Sequence, residues 1–182
     1  MIGKVLVSEL GGYRTSGRIV EVEAYLPGDP GSHAFRGKTR RNATMFEPRG
    51  HIYVYRIYGT SRCANVTSER RGVGAATLIR ALEPLEGIEI MRERRRGRGG
   101  KPVADRDLVR GPGRLTVALG ITSADDGRDL CARNSPIWLA DDGVRPRIGV
   151  SFRIGLTKGA ERKQRFYARG SRWLSGRRLL SP

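Results

Sequence analysis

Two ionisable residues stand inside segments that otherwise read as core strands, and this limits how the chain can fold more than any other feature. Glu23 lies within Gly17-Arg18-Ile19-Val20-Glu21-Val22-Glu23-Ala24-Tyr25, and Arg80 lies within Thr77-Leu78-Ile79-Arg80-Ala81-Leu82. Burying an unpaired ion costs several kcal/mol, so each must find a partner or face a water-filled pocket. The economical arrangement brings Glu23 and Arg80 together, directly or through a water. A structural ion pair and a reactive centre would both satisfy that requirement.

The surrounding pattern supplies a frame. Residues 3–8 and 17–25 read as two strands of a hairpin-like start. In the second, a two-residue period places Val20, Val22 and Ala24 on one face and Glu21, Glu23 and Tyr25 on the other, with one face core and the other open to chemistry. Residues 26–50 are rich in Pro, Gly, Arg and Asn and lack periodicity, and a loop of that length in a compact domain is usually functional. Ile52–Tyr58 and Cys63–Thr67 form a second hairpin around Gly59-Thr60. Residues 76–82 are a further strand, after which Glu83-Pro84 starts a helix carrying Leu85, Ile88 and Met91 on its apolar stripe. Gly111-Pro112-Gly113 opens a short helix reaching Leu119, with an anion site in its first-turn amides. Short strands follow at 137–140, 147–152 and 166–169. With no internal repeat and no linker, the reading is one α+β domain over residues 1–182, with a mixed, largely antiparallel sheet flanked by helices.

Charge narrows the partner. The 182 residues hold 35 Lys plus Arg against 18 Asp plus Glu, a formal net charge of +17, and arginine clusters recur along the chain. Such a surplus favours a polyanion, nucleic acid above all. No run approaches the roughly 18 to 20 apolar residues of a membrane span, so no membrane partner is expected and the protein reads as soluble, cytoplasmic and not secreted. Two cysteines exclude a disulfide scaffold or a four-cysteine zinc site, and two histidines leave little for metal chemistry. The reading includes no metal and no cofactor.

Aromatic residues gather near the charged pair. Tyr25 stands two residues from Glu23 on the same strand face, about 7 Å away. Tyr53 and Tyr55 share a face of the second hairpin, and Tyr58 comes at its tip. A carboxylate, an arginine and flat rings suit a pocket for a planar base, the rings stacking on it and the carboxylate polarising water. An aromatic at a hairpin tip of a basic protein has the form of a wedge that enters a base stack.

These residues, taken with Met45-Phe46, Cys63-Ala64-Asn65, Leu78-Ile79-Arg80-Ala81-Leu82-Glu83-Pro84-Leu85-Glu86-Gly87, Gly111-Pro112-Gly113-Arg114-Leu115, Arg128-Asp129-Leu130, Pro146-Arg147-Ile148-Gly149-Val150 and Arg165-Phe166-Tyr167-Ala168-Arg169-Gly170, resemble the alkyladenine (3-methyladenine) DNA glycosylase family. The blocks occur in order over nearly the whole chain. The resemblance implies a compact mixed domain with a base-intercalating β-hairpin and no helix-hairpin-helix element. It implies a monomeric, metal-free base-excision-repair enzyme acting on double-stranded DNA that contains damaged purines: 3-methyladenine, 7-methylguanine, hypoxanthine and ethenoadenine. The damaged base is flipped out and its N-glycosidic bond hydrolysed, leaving an abasic site.

By that resemblance Glu23 is the general base that activates water, Arg80 helps hold the water, and the backbone carbonyl of Ile148 accepts a further hydrogen bond from it. Tyr25, His33 and Tyr55 form the aromatic pocket, and Asn65 disfavours the amino group of normal guanine. Tyr58 fills the gap in the duplex and Arg114 contacts phosphate. Two departures stand out. The family usually has a helix before the strand that begins here at Ile2, and residues 152–164 match no assigned role. A catalytically silent nucleic-acid binding module, basic and salt-sensitive but without chemistry, is the rival reading.

Overall fold

The computed structural model describes residues 1–57, 59, 61–96 and 100–176. Among these, eight strands form one curled sheet: β1 Val5–Ser8, β2 Thr15–Tyr25, β3 Ile52–Ile57, β4 Ser61–Thr67, β5 Ala76–Glu86, β6 Ile137–Ala140, β7 Ile148–Ser151 and β8 Arg165–Ala168. The order is β3-β4-β5-β2-β1-β6, with β8 joining β2 beyond the end of β1 and β7 pairing with β8. Every pairing is antiparallel, as the α+β reading expects. Three short helices, α1 Ile88–Arg95, α2 Asp105–Leu108 and α3 Pro112–Leu119, complete the domain. Among the described residues no helix is long and apolar enough to cross a membrane.

The central pair β2–β5 departs from the sequence reading at the C-terminal end of β5. The strand does not stop at Leu82, because Glu83 pairs with Arg18, Pro84 with Gly17 and Glu86 with Ser16. Proline lacks an N–H and fits a ladder only at an irregularity, and a register shift occurs here between Ser16 and Gly17. The helix expected from Glu83 therefore begins at Ile88 instead, leaving Leu85 on the exposed end of the strand. Gly87 makes the turn. It has φ 70, and a Cβ there would lie 2.4 Å from the carbonyl oxygen of Arg14, so only glycine is tolerated.

The two-residue period also fails in the middle of β2. Register shifts flank Glu21, and their effect is visible in the packing. Ile19 and Val22 enter one core with Leu6, Ile79, Leu82 and Leu115, whereas Val20 packs with Ala81, Ala168 and Trp173. A bulge adds a residue and reorients those beyond it. The expectation of one core face and one open face is corrected accordingly: both faces are covered, and Glu21 and Glu23 are fully buried. Each large apolar side chain enclosed in the first core contributes about 1.5–3 kcal/mol of transfer free energy, which holds the β2–β5 axis that carries both Glu23 and Arg80.

The long loop is ordered by its own polar side chains. A 3₁₀ run over Arg40–Phe46 is anchored by Asn42, whose amide donates to the carbonyls of His33 (2.8 Å) and Gly37 (3.0 Å). Buried asparagine thus does the work of backbone pairing in a segment that has none, and it fixes His33 beside β3.

Candidate active site

Glu23 accepts two hydrogen bonds and forms one ion pair. Arg80 Nη1 of β5 lies 3.1 Å from Oε1, the backbone N–H of Ile154 donates to the same oxygen at 2.7 Å, and the Tyr25 hydroxyl donates to Oε2 at 3.0 Å. The pairing of Glu23 with Arg80 is direct. Arg80 is also shared, because its Nε lies 3.2 Å from Glu21 Oε1. Glu21 in turn accepts from Arg165 Nε at 2.6 Å, from Ser175 Oγ at 2.9 Å and from the Ser175 backbone N–H. Two buried carboxylates and two buried guanidinium groups therefore balance, which satisfies the requirement that enclosed ions be paired and hydrogen-bonded.

Beside this network lies a cavity of about 350 Å³ whose walls include Tyr25, His33, Tyr53, Tyr55, Met45 and Asn65. Tyr53 and Tyr55 share a face of β3 and stack with ring centroids 5.5 Å apart at 27°. His33 meets Tyr55 edge-on at 4.5 Å, and its Nδ1 is 3.1 Å from the Tyr53 hydroxyl. Asn65 donates its amide to the Tyr53 carbonyl at 3.2 Å, across the β3–β4 ladder. Tyr25 reaches from the cavity wall to Glu23, placing the carboxylate one hydrogen bond behind the ring. Burial pushes the Tyr53 phenol up to about 12. Tyr25 is pushed up by burial and then by the adjacent Glu23 charge, and Tyr55 by burial. The phenols are thus neutral donors at physiological pH. Enclosure of its ring, followed by the nearby Arg41 charge, holds His33 below its ordinary value, so it too is neutral. An enclosed, ring-lined recess of this size next to a paired carboxylate has the properties of a small-molecule or base site.

A model of the methylpurine-DNA glycosylase family matches residues 1–172. This chain belongs to the methylpurine-DNA glycosylase family. It is 55% identical over 181 residues to a Mesorhizobium japonicum protein assigned as a 3-methyladenine DNA glycosylase, covering 99% of this chain and 84% of that protein. Proteins assigned the same name in Methanoculleus marisnigri and Paraburkholderia phytofirmans are each 47% identical, over 90% and 99% of this chain and 84% and 82% of their own lengths. This chain is accordingly a hydrolase of the DNA N-glycosylase type, with DNA as its partner.

The glycosylase brings Glu23, Arg80, Tyr25, His33, Tyr55 and Asn65 together, but not every residue expected at the site. Ile148 opens β7. It pairs with Ala168 on β7, whereas Ser151, three residues on, shares Arg165 with the row of Glu23. At about 3.3 Å per residue that separates Ile148 from the carboxylate row by roughly 10 Å, and its side chain is 53% exposed. The backbone group that meets Glu23 belongs to Ile154, and it is a donor, not an acceptor. Arg114 lies on α3, away from the aromatic cavity, with Nη1 2.9 Å from Asp107 Oδ1. The N–H groups of Arg114 and Leu115 turn inward to the Gly111 carbonyl, so those two are not available to the anion site expected there. Tyr58 lies outside the described residues, although the β3–β4 hairpin that carries it is present.

Sequence reasoning missed Glu21, Arg165, Arg153 and Asp29. The argument made for Glu23 applies equally to Glu21, two residues earlier in the same apolar strand. The open face assigned by strict alternation concealed it.

Proposed function

We propose that this glycosylase removes alkylated or deaminated purines, 3-methyladenine, 7-methylguanine, hypoxanthine and ethenoadenine, from double-stranded DNA as a monomer. The base leaves the stack and enters the Tyr25–His33–Tyr55 cavity, and a water activated by Glu23 attacks the sugar C1′. The N-glycosidic bond breaks with its electron pair departing on the base, the water proton passes to Glu23, and an abasic site remains. The observation that carries this reading is the position of Glu23: fully buried, bonded to a cavity-wall tyrosine, and sharing its other oxygen between Arg80 and an amide.

The chemistry of the substrate explains why one carboxylate is enough. A cationic base such as 3-methyladenine leaves as a neutral molecule and needs no acid, so the division of labour between two carboxylates in glycoside hydrolysis is unnecessary. The anionic carboxylate also stabilises positive charge that develops on the sugar. Neutral tyrosine rings attract an electron-poor base through their faces by about 0.5–2 kcal/mol, and damaged bases cost less to unstack. Asn65, whose amide donates to the Tyr53 carbonyl, would disfavour the exocyclic amino group of normal guanine. Tyr58 would fill the gap left in the duplex. Arg114 would exchange Asp107 for a phosphate.

Incubation with duplexes carrying one lesion, followed by alkaline strand cleavage, tests the reading. The wild type is expected to give scission and Glu23→Gln none, with lesion-duplex affinity retained because water activation alone is lost. Scission by Glu23→Gln at the wild-type rate would refute the role of Glu23. A wild type that binds the duplex and releases no base would be the silent binding module.

A further inference from the structure

Residues 152–164 carry no role in the mechanism above, yet Arg153 is among the most enclosed charges of the described chain. Its side chain and that of Asp29 are both 0% exposed. Arg153 grips both carboxylate oxygens of Asp29 through Nη1 and Nη2, donates to the carbonyls of Ala24 (3.0 Å) and Gly159 (3.1 Å), and lays its guanidinium 4.6 Å over the ring of Tyr25. The arrangement is built for close approach. A Cβ at Gly159, where φ is +65, would lie 2.9 Å from Asp29 Oδ1, and one at Gly31 would lie 2.9 Å from the Lys158 carbonyl. Burying an ion pair this completely seldom improves stability over apolar residues of equal volume, so its value is to be sought in what it orients.

What it orients is the candidate catalytic centre. Asp29 belongs to the long loop that also carries His33. Ala24 sits between Glu23 and Tyr25 at the end of β2. Ile154, the neighbour of Arg153, gives its N–H to Glu23 Oε1. A single planar fork thus joins the strand bearing the carboxylate, the loop bearing the pocket histidine, and the segment that pins one carboxylate oxygen. With Oε1 occupied by Arg80 and Ile154, Oε2 meets only Tyr25 among the described residues.

We propose that the Asp29–Arg153 pair is a positioning clamp that sets the orientation of Glu23 and Tyr25 without touching substrate. The proposal rests on the reading of Glu23 as the base. Lysine at 153 keeps the charge but loses the two-pronged grip and the flat contact with Tyr25. Misplacing a reacting group by about 1 Å costs up to 10²-fold in rate.

The test measures single-turnover excision of ethenoadenine from a duplex by excess Arg153→Lys, Asp29→Asn, Glu23→Gln and wild type, with lesion-duplex Kd and melting curves for each. The clamp predicts that Arg153→Lys lowers the saturating rate about tenfold or more while Kd stays within about threefold, with Asp29→Asn intermediate, since a group acting only on the chemical step leaves binding intact. A folded Arg153→Lys with a rate within about twofold of wild type, or a rate loss matched by the loss of affinity, overturns the clamp. Should Arg153→Lys not melt cooperatively, Asp29→Asn carries the test, and if neither folds the pair is structural and the proposal fails. An active Glu23→Gln refutes the base assignment itself, whereas an inactive Glu23→Gln beside a normal Arg153→Lys removes only the clamp.

Discussion

Replacing Glu21 with alanine separates the anchoring carboxylate from the one proposed to react. Glu21 is fully buried and accepts Arg165 Nε at 2.6 Å, Ser175 Oγ at 2.9 Å and Arg80 Nε at 3.2 Å, together with the Ser175 backbone N–H. Truncation leaves Arg165, itself buried, with no carboxylate partner among the described residues, and leaves the Ser175 N–H without its acceptor. Breaking one side of a buried pair costs about 3–5 kcal/mol, a large part of the roughly 5–15 kcal/mol that holds a domain folded. For a chain of this size each kcal/mol moves Tm by about 2–4 °C, so Glu21→Ala is expected to melt about 6–20 °C below wild type. Urea unfolding should show the same loss as a lower midpoint with an unchanged slope. Glu21→Gln keeps an accepting oxygen but removes the counter-charge, and belongs at the lower end of that range. A Glu21→Ala protein melting within about 3 °C of wild type would refute the reasoning, because the network would then be exchanging its bonds for water at no cost.

Three further substitutions probe the site and the fold. Tyr25→Phe keeps the ring in the cavity wall and removes the hydroxyl that donates to Glu23 Oε2; single-turnover excision should fall roughly tenfold, the value of one charge-assisted hydrogen bond, with lesion affinity unchanged. Gly87→Ala forces a side chain into φ 70 and against the Arg14 carbonyl, and should lower stability by about 1–3 kcal/mol or more in urea titration. His33 is held below its ordinary value by burial and then by the Arg41 charge, so folding favours its neutral form. That contribution is complete above the unfolded value of 6.5 and is lost as pH falls toward the folded one. Affinity for a cationic lesion should therefore fall more steeply than affinity for a neutral lesion as pH is lowered below 6.5, and His33→Asn should remove the difference in a binding titration at two pH values.

Most of the strands and α3 were legible in the sequence because each is set by short-range pattern: β-branched runs bounded by turns, and proline at a helix start. What was not legible depended on pairing across the chain. The extension of β5 through Pro84 required knowing that Gly17 would face it at a bulge, and the burial of Glu21 required the bulge that overrides a strict period. At the site, Glu23, Arg80 and the tyrosines announced themselves through residue type in context. Ile154 could not, since it acts through a backbone N–H that any residue but proline supplies. Arg153 was hidden differently: in a basic segment of a basic protein, one more arginine reads as solvated surface until its carboxylate partner, 124 residues away in sequence, is located.

The same contrast separates two uses of charge. Among the described residues the buried charged side chains are Glu21, Glu23, Asp29 and Asp125 against Arg80, Arg153 and Arg165, so the interior holds no positive excess. Among the described residues the positive surplus is therefore a property of the surface. There it attracts phosphate regardless of sequence and weakens with salt as counterions compete. Inside, the proposed cationic base would meet neutral rings and a carboxylate already shared with an arginine. On that reading the opposite demands of a polyanion outside and a cationic purine within are met because burial forces the enclosed charges into pairs while the exposed ones are free to accumulate.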